Sequence, residues 1–176
     1  MSNDSVVIRP ATKEDASVIA LLGRVTFWES FGDLFKDQND LLEYFERTFS
    51  VAKIERSLQK QENLYWLAFV NRLPVGYAKL KLKSTTPFLE MERVCQLQKI
   101  YVLKDFLSLK IGLALHTTLL EKAKSGTCDY IWLSVYKENE RAIQFYLKNG
   151  FEKIGDHEFV IGKEHFDFIA MARNLT

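Results

Sequence analysis

Cysteine is scarce in this chain: two in 176 residues, Cys95 and Cys128, both in strand-like apolar surroundings with no metal-ligand spacing. A disulfide framework is not supported, no metal site is expected, and both side chains read as small core hydrophobes. A charge excess of either sign is lacking too. With 24 Lys plus Arg against 23 Asp plus Glu the formal net charge is +1, which gives no footing for nucleic acid or for a membrane surface. Any polarity that binds a partner must be local. Long hydrophobic runs are missing: Leu64 to Val70 is the longest, far short of the ~20 residues of a membrane span. Asn3 and Asp4 stand where a signal peptide would carry its basic segment. The expectation is a soluble cytoplasmic protein. With no repeat, low-complexity tract or dividing linker, residues 1–176 are expected to form a single domain.

What is present begins with Val6 to Pro10, a short strand halted by proline. Thr12 with Asp15 three residues on has the form of a capping box, so a helix should start near Lys13. Its inward stripe is placed at Val18, Leu21, Leu22, Val25 and Trp28, recurring at three and four, and Gly32 interrupts it. Leu41, Leu42, Phe45 and Phe49 continue in helical spacing, and residues 51–58 form another short helix turned by Ser50. Between Trp28 and Arg47 stand Glu29, Asp33, Asp37, Asp40, Glu43 and Glu46 against Lys36 and Arg47, which reads as a solvated helix face.

From Leu64 the period changes. Leu64 to Val70 is apolar on both alternations and reads as a central strand. After the turn at Asn71-Arg72-Leu73-Pro74, Ala78, Leu80 and Leu82 alternate with Lys79, Lys81 and Lys83, a half-exposed strand with its lysines in solvent. Cys95 to Val102 is the next strand. It leads through residues 104–109 into a helix with Ile111, Leu115 and Leu119 inward, and then into a strand at Tyr130 to Tyr136. Strand, helix, strand in that order is a crossover that joins parallel strands. Residues 151–161 and 166–172 make two last strands joined near Gly162-Lys163. The fold class is α/β (α+β mixed), a mixed sheet flanked by helices.

Residues 133–151 hold the most specific pattern. A strand ends at Tyr136, Asn139 offers an oxygen to the first free amides of a helix, and Asn149-Gly150 stops that helix. Ala142, Phe145 and Tyr146 share one face, which must look inward. Asn139, Ala142, Phe145, Tyr146, Gly150 and Phe151 together resemble the second conserved motif of the GNAT superfamily of acyl-CoA-dependent N-acyltransferases. The resemblance implies a mixed, mostly antiparallel twisted sheet of about seven strands flanked by about four helices, and acetyl-CoA as the cofactor. It also implies that Asn139 contacts the pantetheine arm and that Tyr146 is the catalytic acid for the departing thiolate.

The resemblance further implies that a turn before the helix at Ile111 binds the CoA diphosphate through backbone amides. The positions are Ser108, Lys110, Ile111, Gly112, Leu113 and Ala114, with Lys104 beside them. In the family this turn carries a Gln or Arg and two small residues; here Leu107 and Lys110 take the places of the Gln/Arg and the first glycine, and only Gly112 matches. Amides survive any side chain except proline, and Lys110 adds a cation, on the condition that its backbone φ is negative. The strand before the turn would pair with pantetheine through Ile100 and Val102, as an added strand does.

Thr26-Phe27, Ser30-Phe31, residues 97–102, Ile131-Trp132-Leu133, Lys137 to Phe151 and Ile169-Ala170-Met171 are similar to the PaiA-type spermidine/spermine N-acetyltransferases. That similarity implies a small-molecule amine acceptor, polyamine-like, near Phe27, Trp28, Phe31 and Gln98. Gln96 and Gln98 stand where such proteins carry acids, and Gln cannot take a proton; Glu29, Glu90, Glu92 or a water chain is left as the base. Amino-acid or peptide N-terminal amines, or acyl-CoA binding without transfer, are the other readings. Trp28, Phe31 and their aromatic neighbours form either the acceptor pocket or a homodimer surface.

Overall fold

A computed structural model describes residues 5–126 and 128–176; Asn3 and Asp4 lie outside the described residues. Seven strands pair in the order β1-β2-β3-β4-β5-β7-β6. They are β1 (Val6–Pro10), β2 (Asn63–Val70), β3 (Leu73–Lys81), β4 (Val94–Val102), β5 (Tyr130–Tyr136), β6 (Glu152–Ile161) and β7 (Glu164–Asn174). Every pairing is antiparallel except β4 with β5, as the helical crossover between those two strands requires.

Five α-helices flank the sheet: α1 (Ala16–Phe31), α2 (Gln38–Phe49), α3 (Val51–Leu58), α4 (Ile111–Lys124) and α5 (Glu140–Lys148). The short helix expected over residues 51–58 is present as α3: Ser50, extended at ψ 148, ends α2 and starts it, its hydroxyl accepting from the Lys53 amide. Two apolar cores result. One lies between the sheet and α4 with α5, and includes Leu80, Leu97, Leu115, Leu133 and Phe151. The other lies between the opposite face and α1 to α3, and includes Leu67, Tyr77, Phe27, Leu41 and Phe49.

This double cover corrects two expectations. Helix α1 buries Ile19, Leu22, Thr26, Phe27 and Phe31, whereas Leu21 is 63% and Trp28 49% exposed. The helix is apolar around most of its circumference, so three-and-four spacing fits more than one stripe. Gly23 decides between them, because a Cβ there would overlap the Phe49 ring, and that face alone admits α2. The lysine row expected in solvent is only partly there: Lys83 is exposed and Lys81 half-buried, but Lys79 is not in solvent. Lys79 lies on the side covered by α1 to α3 and is 9% exposed; alternation tells which residues share a face, not whether the face is covered.

Two irregularities open the sheet. Across β3 and β4, Lys79 stands opposite Lys99 but Leu80 opposite Leu97, so Gln98 is the extra residue of a β-bulge. Strands β4 and β5 keep parallel register only from Val94–Tyr130 to Gln96–Trp132. Beyond those pairs they part.

Candidate functional site

One cavity, of about 620 Å³, lies along the parted end of β4 and is bounded by the starts of α4 and α5. Ile100, Tyr101 and Val102 line it from β4, Gly112 and Leu113 from α4, and Asn139 and Tyr146 from α5. The first amides of α4 have no partner within the helix, and the dipole end is positive there. Ala114 N–H is the first one used, donating to Lys110 O at 3.1 Å. A Cβ built on Gly112 would meet nothing within 4 Å, so the backbone faces open space at the helix start. Lys104, Lys110 and Arg141 line the same cavity, and among the described residues none of their side chains enters an ion pair. Free amides, open space at Gly112 and three cations fit a diphosphate.

Lys110 has φ 56 and ψ 24, a left-handed conformation that costs a non-glycine residue roughly 1–2 kcal/mol. The negative φ set as the condition for binding is not met. The left-handed region is one that glycine adopts without cost, and the lysine side chain joins the cavity wall.

Helix α5 is fixed at both ends. Asn139 Oδ1 accepts from Ala142 N at 3.1 Å, which leaves its amide nitrogen for a ligand. At the other end Gly150 N donates to Leu147 O and Phe151 N to Tyr146 O, at 3.1 and 3.0 Å, the pair of bonds that closes a helix through a left-handed glycine; Gly150 has φ +79. Tyr146 is thereby held between the rings of Phe145 and Phe151, with centroids at 5.4 and 5.6 Å. Burial pushes its phenol above the usual tyrosine range, so the hydroxyl keeps its proton at all ordinary pH. No hydrogen bond within the described residues engages it.

A second cavity, of about 600 Å³, lies between the sheet and α1 to α3 and shares Tyr101 with the first. Phe27, Phe31 and Tyr44 meet there in an aromatic wall, with ring centroids 4.8 Å apart for Phe27–Phe31 and Phe27–Tyr44. Phe159, Phe166 and Phe168 close it from β6 and β7. That hairpin is pinned to α2, since Lys163 N donates to Asp40 Oδ2 and Lys163 Nζ to Asp37 Oδ2, both at 2.8 Å. Tyr101 stacks on Tyr77 at 6.0 Å, and burial raises both phenols.

A model described as the acetyltransferase (GNAT) family matches residues 27–151. The chain belongs to this family. It is 25% identical over 161 residues to an uncharacterized N-acetyltransferase of Lactobacillus delbrueckii subsp. lactis, covering 90% of this chain and 91% of that one. It is 32% identical over 102 residues to an uncharacterized N-acetyltransferase of Mycobacterium tuberculosis, covering 58% of this chain and 61% of the relative. Among solved structures, PaiA N-acetyltransferase of Thermoplasma acidophilum in complex with coenzyme A superposes with TM-score 0.74 at 22% identity, over 97% of this chain and 99% of that one. The ribosomal-protein-S18-alanine N-acetyltransferase of Escherichia coli gives 0.70 at 17%, over 98% and 95%.

In this GNAT chain the residues expected at the cofactor fall into three groups. Ile100, Val102, Lys110, Gly112, Leu113, Asn139 and Tyr146 line the first cavity. Ile111 is fully buried in the core and offers only its amide, and the Ala114 amide is consumed within α4. Ser108 is exposed and not part of the wall. Of the expected acceptor residues, Phe27, Phe31 and Gln98 line the second cavity. Trp28 points away, its ring lying against Gly32. Glu90 and Glu92 are exposed and line neither cavity. Glu29 lines the first, with Oε2 accepting from Lys104 N at 3.0 Å. Sequence reasoning missed Tyr101, Arg141, Lys79 and Lys99. For Arg141, a cation two residues past the capping Asn139 was the available signal; nothing in the sequence marked Tyr101, Lys79 or Lys99.

Proposed function

We propose that this GNAT acetyltransferase moves an acetyl group from acetyl-CoA to the amine of a small-molecule acceptor, with Tyr146 as the proton donor to the departing sulfur. The observation that carries the reading is a Tyr146 side chain buried in the wall of the cavity that begins at the first amides of α4, with no hydrogen bond to its hydroxyl among the described residues. Bound acetyl-CoA would supply the activated acyl group. The amides of Ile111, Gly112 and Leu113, with Lys110 and Arg141, would hold its diphosphate; the exposed edge of β4 at Ile100 and Val102 and the Asn139 amide would orient the arm. Tyr146 then offers its proton within the groove. Amine attack needs a neutral nitrogen. Gln96 and Gln98 cannot draw off a proton, and Gln96 Oε1 already accepts from Ser84 Oγ at 3.0 Å. Glu29, the one carboxylate among the described residues that lines either cavity, is the group that can act through water.

The polyamine expectation finds no footing in the acceptor cavity. A polycation wants fixed carboxylates, and among the described residues that wall contains none. The acidic residues at α2 do not supply them: Asp37 and Asp40 hold Lys163, Glu46 pairs with Arg24 at 3.0 Å, and Glu43 is exposed and lines neither cavity. Calorimetric titration with acetyl-CoA, paired with a thiol assay for amine-dependent CoA release, tests the proposal. Saturable binding with release that depends on an amine is expected. Absence of binding would remove the cofactor assignment, and binding without release across a broad amine panel would leave a binding protein of this fold.

A further inference from the structure

The second cavity is lined by Arg47, Lys53, Lys79 and Lys99 and, among the described residues, by no carboxylate. That composition is unusual for a wall so well covered. Lys79 and Lys99 stand directly opposite each other across β3 and β4, where like charges repel. Lys79 is 9% exposed. Its Nζ lies 5.3 Å from the centre of the Tyr65 ring, and that of Lys99 lies 5.1 Å from the centre of the Phe49 ring, so each ammonium has an aromatic face but no counterion. Among the described residues no ion pair includes any of the four cations.

The charged groups that bear on Lys79 from the elements around it are Lys99 on β4, Lys81 on β3, Lys53 on α3 and Lys60 just beyond α3, all cationic. Burial and this company lower its pKa to about 7, and burial alone lowers that of Lys99 to about 8. A buried charge without a partner is costly, and a ligand that brings the opposite charge removes the cost. Lys99 is two residues from Tyr101 along β4, about 7 Å of strand, and Tyr101 lines both cavities.

We propose that the acceptor is an amine that also carries an anionic group, a carboxylate or a phosphate, held by Lys79 and Lys99 a short spacer away from the amine delivered beside Tyr101. The amine half rests on the acetyl-transfer reading; the anion site does not.

Matched pairs that differ only in the anion test this directly: phenylalanine and phenethylamine, lysine and cadaverine, O-phosphoethanolamine and ethanolamine, with spermidine as the polycation. Each is titrated calorimetrically into the CoA-loaded protein and also assayed for CoA release from acetyl-CoA. The anionic member of at least one pair should bind tenfold or more tightly than its partner, the carboxylate and phosphate arms telling which anion is preferred. That preference should fall at least tenfold in Lys79→Met and in Lys99→Met and recover in Lys79→Arg. It should also weaken as pH rises from 7 to 9, because the lysines lose their protons there. The pH series on the unaltered protein keeps the test decisive even where a variant fails to fold. Equal or tighter binding of the amines that lack the anion or of spermidine, no binding of any anionic member, or a preference indifferent to Lys79→Met and to pH would overturn the inference. Anionic compounds that bind without releasing CoA would overturn acetyl transfer and leave the anion site standing; spermidine turnover without anion binding would do the reverse.

Discussion

Lys110 shows how one residue can carry a functional motif without the side chain the motif prefers. Its left-handed backbone is affordable for glycine and strained for lysine, so Lys110→Gly should raise stability by up to about 1 kcal/mol, the relief of strain being offset by added freedom in the unfolded chain. Urea unfolding measures it, and the same variant should bind acetyl-CoA more weakly through loss of a cation. His116 makes a second residue-scale prediction. It is 1% exposed, its Nε2 has no partner, and its ring packs against Phe145 at 5.1 Å. Burial, with Arg173 nearby, lowers its pKa from 6.5 to about 4. Between those values the unfolded chain takes up a proton that the folded one refuses, so stability must fall as pH drops from 6.5 to 4. Melting temperatures across that window should show the decline, and His116→Leu should flatten it. The lysines act at the other end: a folded pKa lowered from 10.5 to about 7 at Lys79 means stability rises with pH between those values. None of this was legible in the sequence, because a lysine in an alternating strand looks the same whether its face meets water or three helices.

The helices differ in how well their sequence announced them. Helix α5 was readable end to end, since its cap, its inward face and its stop each depend on local chemistry: Asn139, Tyr146 and Gly150 do in the structure what their types suggest. Gly150→Ala should cost about 1–2 kcal/mol from the positive φ alone, because the space there admits a methyl, the nearest atom being Arg173 Nε at 3.5 Å. Asn139→Ala should cost about 1 kcal/mol through the lost cap. Thermal denaturation of the two variants checks both figures. Helix α1 was misread for the opposite reason. With apolar residues nearly all round, its packing face is chosen by α2, through Gly23 and the Phe49 ring, and that choice is tertiary. The bulge at Gln98 is tertiary as well, since it exists only in the register between β3 and β4.

At the scale of the molecule, function follows from where one sheet stops being continuous. The parallel join of β4 and β5 holds for three pairs, and the gap beyond gives the first cavity a wall of β4 backbone and a floor of α5. The covering helices α1 to α3 make the second cavity on the other side, and Tyr101 is common to both. This arrangement superposes on solved acetyltransferases at about a fifth identity, so the fold is kept while most side chains differ. The most direct test of the account is the turnover of Tyr146→Phe against that of the unaltered protein at saturating acetyl-CoA, with acetyl-CoA affinity measured alongside. The account predicts turnover lower by about tenfold or more with affinity unchanged; undiminished turnover would contradict it.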